Sequence, residues 1–251
     1  MVEGMEQDFD WLRARFPKRR PILPSVYQTI YEQEYKRNRG NNSTVPNLKQ
    51  KLEKWMHRQV SQHHSQEGPI LEIGAGTLNH VYWEPDNCAY DIIEPFAALY
   101  RDQQGLERVQ DIYQDIVDIP TTKRYSKILS IAVLEHVQDL SHLVAQSALL
   151  LHDKGVVVHG IPSEGGVLWY LAWRLGTGVN FRIRTGLSYV PMMHHEHINT
   201  ASEILKVLGI FFDDLSYRRF PLPFLHGSFY TCLTLRKPNK YKAELFLKGC
   251  A

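Results

Sequence analysis

Short apolar runs alternate with amphipathic stretches through the middle of the chain. Five runs have the length of a strand, and they occupy residues 70–73, 89–93, 108–113, 128–133 and 155–161. Residues 140–151 between the last two runs are rich in Leu and Ala and predict a helix. Strands alternating with helices favour an α/β fold with a doubly wound, mostly parallel sheet. Residues 211–219 and 228–236 predict an antiparallel edge.

The pattern divides the chain into four parts. Tyrosines at every fourth position predict a helix over residues 25–38, and a second helix over residues 47–63 has Asn47 as its candidate cap. Residues rich in Trp, Tyr, Arg and His then break the alternation after the fifth run. The predicted parts are an N-terminal helical cover (1–66), a cofactor-binding core (67–161), a cap insertion over the substrate (162–199) and the C-terminal part of the core sheet (200–251).

Composition narrows the class of protein. The 29 Lys and Arg nearly balance the 27 Asp and Glu, so no global charge attracts nucleic acid or an anionic membrane. The basic cluster at residues 18–20 predicts only a solvated turn. Three scattered cysteines suggest neither a disulfide framework nor a zinc site and predict a cytoplasmic protein. No apolar run approaches the length of a membrane span.

The first apolar run leads into a glycine turn. Residues 69–76 read Pro-Ile-Leu-Glu-Ile-Gly-Ala-Gly, which predicts a strand, a sharp turn and a helix over residues 77–83. Leu78 and Asn79 stand where a dinucleotide fingerprint has its third glycine, which disfavours an NAD enzyme, and no Lys-Ser/Thr pair follows as in a P-loop. Glu72 before the glycines indicates a ligand that carries positive charge, such as an ammonium or a sulfonium.

Polar residues also follow the later strands, where ligands of open α/β sheets bind. Glu94 at the end of the second strand can accept both hydroxyl protons of a ribose, with Asp91 as the alternative. Asp115 and Ile116 after the third strand suit an adenine, because a carboxylate accepts from its amino group and an apolar side chain packs on its ring. The fourth strand ends in residues 132–136, Ala-Val-Leu-Glu-His.

Together these four segments resemble the class I S-adenosylmethionine-dependent methyltransferases of the small-molecule type, over residues 69–161 and more loosely to residue 212. The resemblance implies a Rossmann-like fold and S-adenosylmethionine as cofactor. It implies a cofactor site formed by Glu72, Gly74, Ala75, Gly76, Glu94, Pro95, Asp115, Ile116, Ala132 and Val133. Leu78 and the pair Tyr125-Ser126 depart from the family pattern. The fourth strand lacks the Asn/Asp-Pro-Pro-aromatic tetrad of similar base-modifying enzymes, so a nucleic-acid substrate is disfavoured.

Three histidines and a glutamate lie within residues 192–199. His195 and His197 are candidate catalytic bases, as is His136 at the fourth strand end, because the histidine pKa suits removal of a hydroxyl proton. On an extended chain only His195 and His197 share a face. Metal ligation by these two and a purely structural role both stay open, and no metal is predicted.

The cap insertion carries arginines among aromatic residues. Arginine forks bind carboxylate or phosphate, and flat rings stack on sugars or other rings. We therefore predict a polar acceptor, with Trp169, Arg182, Arg184 and Tyr189 as substrate-binding residues. The alternative is an amphipathic helix over residues 168–175 that packs on the core.

These features favour an O-methyltransferase that acts on a sugar or glycan precursor. The sugar part rests on a loose likeness of residues 192–199 to methyltransferases of bacterial surface-polysaccharide pathways, which is an analogy. An N-methyltransferase of a small amine and a non-catalytic subunit that binds S-adenosylmethionine are the alternatives. A homodimer is left open.

Overall fold

A seven-stranded sheet forms the centre of the computed structural model, which describes residues 2–30, 48–63 and 68–249. The strands are β1 (Ile70–Ile73), β2 (Tyr90–Ile93), β3 (Val109–Tyr113), β4 (Tyr125–Ile131), β5 (Leu151–Pro162), β6 (Phe212–Pro221) and β7 (Ser228–Pro238). Their spatial order is β3-β2-β1-β4-β5-β7-β6. Strands β1 to β5 are parallel, and β7 pairs antiparallel with both β5 and β6. The predicted α/β fold with an antiparallel edge is confirmed.

Helices cover both faces of the sheet. They are Val2–Arg13, Leu48–Ser61, Ala97–Tyr100, Leu140–Leu150, Val167–Ala172, Val179–Thr185, Val190–Glu196, Ala201–Phe211 and Lys240–Lys248, with a π-helical turn at Trp173–Gly178. Residues 25–30 are also helical. The helix Ala201–Phe211 begins with a capping box, because the Thr200 hydroxyl accepts from the Glu203 N–H while the Glu203 carboxylate accepts from the Thr200 N–H.

The main hydrophobic core lies on one face, between the sheet and the helices Leu140–Leu150, Ala201–Phe211 and Lys240–Lys248. Phe9 and Leu12 of the first helix are buried in this core, and the Phe9 ring packs 5.5 Å from that of Phe246. The first helix is therefore part of the main core.

The segment after the first helix connects the core to the cap. The Lys18 ammonium donates to the Ile198 carbonyl oxygen at 2.8 Å and to the Glu203 carboxylate at 2.9 Å. The Arg20 guanidinium donates to the His136 carbonyl oxygen at 2.9 Å. The prediction of a solvated turn at residues 18–20 is thus wrong for Lys18 and Arg20. Their charges satisfy one carbonyl group at the last residue of the short turn Leu134–His136 and one that follows the helix Val190–Glu196.

One local prediction at the glycine turn is also wrong. Residues 77–83 do not form an α-helix; a turn leads into a 3-10 helix over Val81–Trp83. Leu78 has a φ of 59° and is buried, so the third position of the turn is left-handed without a glycine. The sequence interpretations of Tyr31, Tyr35 and the cap residue Asn47 lie outside the described residues. No helix among the described residues has the length and apolar character to cross a membrane.

Candidate cofactor and active site

The turn after β1 needs glycine at two positions. Gly74 has a φ of 68°, and a Cβ atom there would lie 2.6 Å from Cγ2 of Val133, at the end of the neighbouring β4. Gly76 has a φ of 54°. Left-handed backbone favours glycine at both positions, and the close approach excludes a side chain at the first. The turn thus lies against the β4 end, where β1 and β4 form the switch point of the sheet.

Glu94 connects this turn to the end of β2. Its carboxylate accepts from the Gly76 N–H at 2.8 Å and from the Phe96 N–H at 3.0 Å. The side chain is buried, whereas Pro95 and Phe96 are exposed. Two backbone donors fix the orientation of an acceptor that retains lone pairs for further donors.

Asp91, the alternative ribose acceptor, lies in a different environment. It accepts from the Lys123 ammonium at 2.5 Å, from the Tyr125 hydroxyl at 2.8 Å and from the Asp111 N–H at 3.2 Å. Because these donors surround a side chain that is 1% exposed, Asp91 holds β2, β3 and β4 together. Asp91 is thus held by three protein donors, whereas two backbone amides hold Glu94, whose contact with a ligand stays a prediction.

Glu72 lies beneath the glycine turn and is fully buried. The Tyr90 hydroxyl donates to its carboxylate at 2.7 Å. Burial raises the Glu72 pKa to about 8, with smaller contributions in the same direction from Glu84 and Glu94; the Tyr90 hydrogen bond and the Lys127 charge act against the shift. At neutral pH the group is thus a neutral acid that a nearby cation would ionise.

A cluster of buried ionisable side chains lies near Glu72, and two of its members, Glu84 and Lys127, act on the Glu72 carboxyl group through their charges. The Lys127 ammonium donates to Glu84 Oε1 at 2.5 Å and to the Val60 carbonyl oxygen at 3.0 Å. His80 Nε2 lies 2.8 Å from the same Glu84 oxygen. These contacts attach the helix Leu48–Ser61 to the sheet behind the glycine turn.

Asp115 and Ile116 are placed differently from each other. Asp115 is exposed and caps the short turn Ile116–Asp118: its carboxylate accepts from the Val117 N–H at 3.3 Å. Ile116 is 3% exposed and belongs to the main core, whereas Val117 is 59% exposed. The structure thus corrects the role of Ile116, because its side chain stabilises the core, and Val117 offers the accessible apolar surface beside Asp115.

The loop after β4 leads from the turn to the histidines. Ala132 has a φ of 54°, and Val133 contacts Gly74 as described. His136 Nδ1 lies 2.8 Å from the Glu196 carbonyl oxygen, and since a carbonyl only accepts, Nδ1 carries the proton. Burial lowers the His136 pKa, but the Glu196 hydrogen bond and the charges of Glu135 and Glu196 outweigh it, so the net pKa is raised.

His197 lies beside His136, with ring centroids 4.8 Å apart. Its Nδ1 is 3.0 Å from the Glu164 carboxylate, which also accepts from the Trp169 indole N–H. The Trp169 ring stacks on the His197 ring at 6.1 Å. The structure thus brings together three of the predicted site residues: His136, His197 and Trp169.

His195 is not part of this group. Residues 190–196 are helical, so the expectation of an extended chain with alternating histidines is wrong. His195 Nδ1 lies 2.7 Å from the Pro21 carbonyl oxygen and thereby attaches the cap to the N-terminal segment. His195 is therefore a structural contact rather than a partner of His197.

The remaining predicted substrate residues lie elsewhere on the cap. Arg182 and Arg184 are exposed on the helix Val179–Thr185. The Tyr189 ring packs 5.3 Å from Phe181 inside the small cap cluster. Of these four residues, Trp169 is the one that packs on His197 within the described part of the chain. Residues 168–175 are helical, in Val167–Ala172 and the π-turn that follows, but no residue of Val167–Ala172 is buried, so the expected packing of this helix on the core is not observed.

The structure also reveals acidic residues that sequence reasoning did not assign. Glu135 is 1% exposed, and it forms with His136 and His197 a group whose potential ligand atoms all lie within 4.8 Å of one another. Glu164 orients His197 and Trp169. Glu135 lies four residues and Glu164 two residues beyond the end of a parallel strand, and that position is the signal that could have placed them near the site, although it does not indicate their partners.

Comparison with solved structures places this architecture among known folds. A methyltransferase dependent on S-adenosylmethionine from Thermotoga maritima aligns with a TM-score of 0.54 at 13% identity, over 84% of this chain and 97% of its own. The N-methyltransferase NodS from Bradyrhizobium japonicum, in complex with S-adenosyl-L-homocysteine, gives 0.54 at 17% identity, over 82% of this chain and 97% of its own. A third such methyltransferase, from Clostridium acetobutylicum, gives 0.54 at 9% identity, over 84% and 100% of the two chains. No family model and no curated protein matches the sequence.

These neighbours share the sheet and its flanking helices at low sequence identity. The chain therefore has the fold of the class I S-adenosylmethionine-dependent methyltransferases.

Proposed function

We propose that this protein transfers a methyl group from S-adenosylmethionine to a hydroxyl of a small polar molecule, such as a sugar or glycan precursor. The observation that carries the proposal is the arrangement of Gly74, Gly76 and Glu94, which joins the β1 turn to a fixed acceptor at the end of β2. Glu94 suits the ribose hydroxyls, Asp115 the adenine amino group and Glu72 the cofactor ammonium. The neighbour that holds S-adenosyl-L-homocysteine supports the choice of cofactor.

The reaction is a direct displacement. The acceptor oxygen forms a bond to the methyl carbon while the carbon–sulfur bond breaks, its electron pair stays on sulfur, and the hydroxyl proton leaves. The chain's task is to align the three atoms and exclude water. Ala132 and Val133 at the β4 end lie between the glycine turn and the histidines. In the proposal His136 and His197 therefore face the acceptor and assist the removal of its hydroxyl proton.

The acceptor chemistry follows from the side chains around these histidines. Trp169 supplies a flat face beside His197, and Tyr230 packs 5.6 Å from Trp169. Burial raises the Tyr230 pKa, and the Glu135 charge acts in the same direction, so this hydroxyl stays protonated as a donor. A ring with several hydroxyls fits a wall of this kind, which supports a sugar-like acceptor.

Methyl transfer from labelled cofactor to a fractionated extract tests the proposal. We expect label in a small polar fraction, with the methyl group on oxygen when the product is analysed by NMR and mass spectrometry. The His136→Ala and His197→Ala variants should lose about a hundredfold or more in rate, whereas His195→Ala should retain most of it.

Two results would redirect the proposal. Label on nitrogen with no loss of rate in the histidine variants would contradict O-methylation and favour a small amine, as the likeness to an N-methyltransferase suggests. Cofactor binding without turnover on any fraction would favour a non-catalytic subunit.

A further inference from the structure

We propose that Glu135, His136 and His197 form a binding site for a divalent first-row transition-metal ion that holds the acceptor oxygen. The role of the ion in catalysis rests on the proposed methyl transfer. The binding of the ion does not, because it follows from the geometry of these three side chains alone.

The three side chains are close enough to share one ion. One potential ligand atom of each lies within 4.8 Å of the other two. Ligands about 2.1 Å from an ion are at most about 4.2 Å apart, so small side-chain rotations complete the site. The N–H groups of Ile198 and Asn199 donate to the Glu135 carbonyl oxygen at 2.9 and 3.1 Å. These bonds fix the two ligand-bearing segments relative to each other.

An independent observation concerns the Glu135 carboxylate. The side chain is 1% exposed, and its Oε2 atom has no hydrogen-bond partner among the described residues. Its Oε1 atom lies 3.7 Å from His136 Nε2, which is beyond hydrogen-bond distance. A buried carboxylate oxygen without a partner is costly. A cation at this point would satisfy it.

Both histidines are oriented as metal ligands usually are. His136 Nδ1–H donates to the Glu196 carbonyl oxygen at 2.8 Å, and His197 Nδ1–H donates to the Glu164 carboxylate at 3.0 Å. Metal-bound histidines commonly donate their second N–H to a carbonyl or carboxylate, which fixes the ring and its tautomer. The Nε2 lone pair of each ring is thereby left for an ion.

The ligand set indicates the kind of ion and its use. Two imidazoles and one carboxylate suit Mn²⁺, Fe²⁺, Co²⁺ or Zn²⁺, whereas Ca²⁺ and Mg²⁺ prefer oxygen ligands. Three protein ligands leave a coordination position for an acceptor oxygen. A hydroxyl bound there would lose its proton to solvent more readily, because the cation stabilises the anionic oxygen. The histidines would thus promote loss of the acceptor proton indirectly, by binding the ion.

Titration of the chelator-treated protein with Co²⁺ tests the site without cofactor or acceptor. We expect one ion per chain, with the visible absorption of Co²⁺ bound to nitrogen ligands. His197→Ala and Glu135→Gln should weaken binding about a hundredfold or more, and Glu164→Gln, which leaves all three ligands in place, by about 10–100-fold. His195→Ala, in the same segment but outside the cluster, is the matched control and should bind as the wild type does.

The thermal unfolding midpoint of each variant verifies that it is folded. A parallel titration with S-adenosyl-L-homocysteine distinguishes failure of this inference from failure of the proposed function. If the wild type does not bind Co²⁺ at millimolar concentration, the inference is overturned, even if S-adenosyl-L-homocysteine binds. Equal Co²⁺ affinity in wild type, folded Glu164→Gln and folded His197→Ala would also overturn it. If Co²⁺ binds as predicted and S-adenosyl-L-homocysteine does not, the result would support the metal site and contradict the proposed cofactor.

Discussion

The Gly76 amide donates to Glu94 Oε2 at 2.8 Å, so the turn after β1 and the end of β2 are held together by one carboxylate. The Phe96 amide donates to the other carboxylate oxygen at 3.0 Å. Because both donors belong to the backbone, the carboxylate is positioned before any ligand arrives. This pre-organisation lowers the entropic cost of holding a diol-bearing ligand.

Replacement of Glu94 by Gln should therefore weaken binding of S-adenosyl-L-homocysteine. The amide keeps the shape but replaces one charged acceptor by a donor, which we expect to cost about 1.5–3 kcal/mol, or roughly 10–150-fold in Kd. Isothermal titration calorimetry measures the change, with the exposed Glu107→Gln as the matched control. An unchanged Kd in Glu94→Gln would remove Glu94 from the cofactor site.

Replacement of Gly74 by Ala should damage the turn itself. The new Cβ atom would lie 2.6 Å from Val133 Cγ2, and the φ of 68° disfavours any side chain. We expect a loss of about 1–3 kcal/mol in unfolding free energy, measured by urea denaturation, together with weaker cofactor binding. Gly209→Ala, at a helical position with nothing within 4 Å of the new atom, is the control and should be neutral or stabilising. Equal stability of the two variants would contradict the prediction.

Cofactor binding should release a proton from Glu72. Its pKa is raised to about 8 in the free protein, so at pH 7 the group is mostly protonated, and an ammonium beside it would lower that pKa. We expect the release of up to one proton per ligand bound at pH 7, measured by calorimetry in two buffers of different ionisation enthalpy. Glu72→Gln should abolish the release.

The raised pKa of Glu72 also makes the stability of the folded state depend on pH. An acid whose pKa is raised in the folded state destabilises that state as pH rises, because the unfolded chain loses its proton first. For Glu72 the window runs from its ordinary pKa of 4.5 to about 8. A pH-independent difference in stability between wild type and Glu72→Gln across this window would contradict the assignment.

Replacement of Lys127 by Met should strongly destabilise the protein. Its ammonium is buried and donates to Glu84 at 2.5 Å, and removal leaves that carboxylate with His80 alone. The expected loss is about 3–5 kcal/mol in unfolding free energy, measured by urea denaturation. The exposed Lys154→Met should change it by less than about 0.5 kcal/mol. If both variants unfold at the same urea concentration, the buried pair does not have this role.

Much of the fold follows from the sequence because local patterns determine it. The five strand-length runs form the five parallel strands, and Gly74 and Gly76 form the predicted sharp turn, with left-handed backbone at both positions. Glu94 follows the end of β2 as expected, because a strand end is a local feature, and its contact with a ribose stays a prediction.

Elsewhere tertiary contacts decide the outcome, and sequence reasoning fails. Ile116 is drawn into the core, although a polar neighbour suggested a ligand contact. Glu164 becomes the partner of His197 over 33 positions of chain, which no local pattern reveals. Residues 190–196 form a helix with a proline in its first turn, so histidine spacing on an extended chain misled the interpretation.

Calorimetric titration of the purified protein with S-adenosyl-L-homocysteine is the most direct test of the central claim, which is that the β1 turn and Glu94 form an adenosyl-ligand site. We predict saturable one-to-one binding, a raised unfolding temperature and a clear loss of affinity in Glu94→Gln. The absence of both heat and thermal shift with this ligand and with S-adenosylmethionine would contradict the claim.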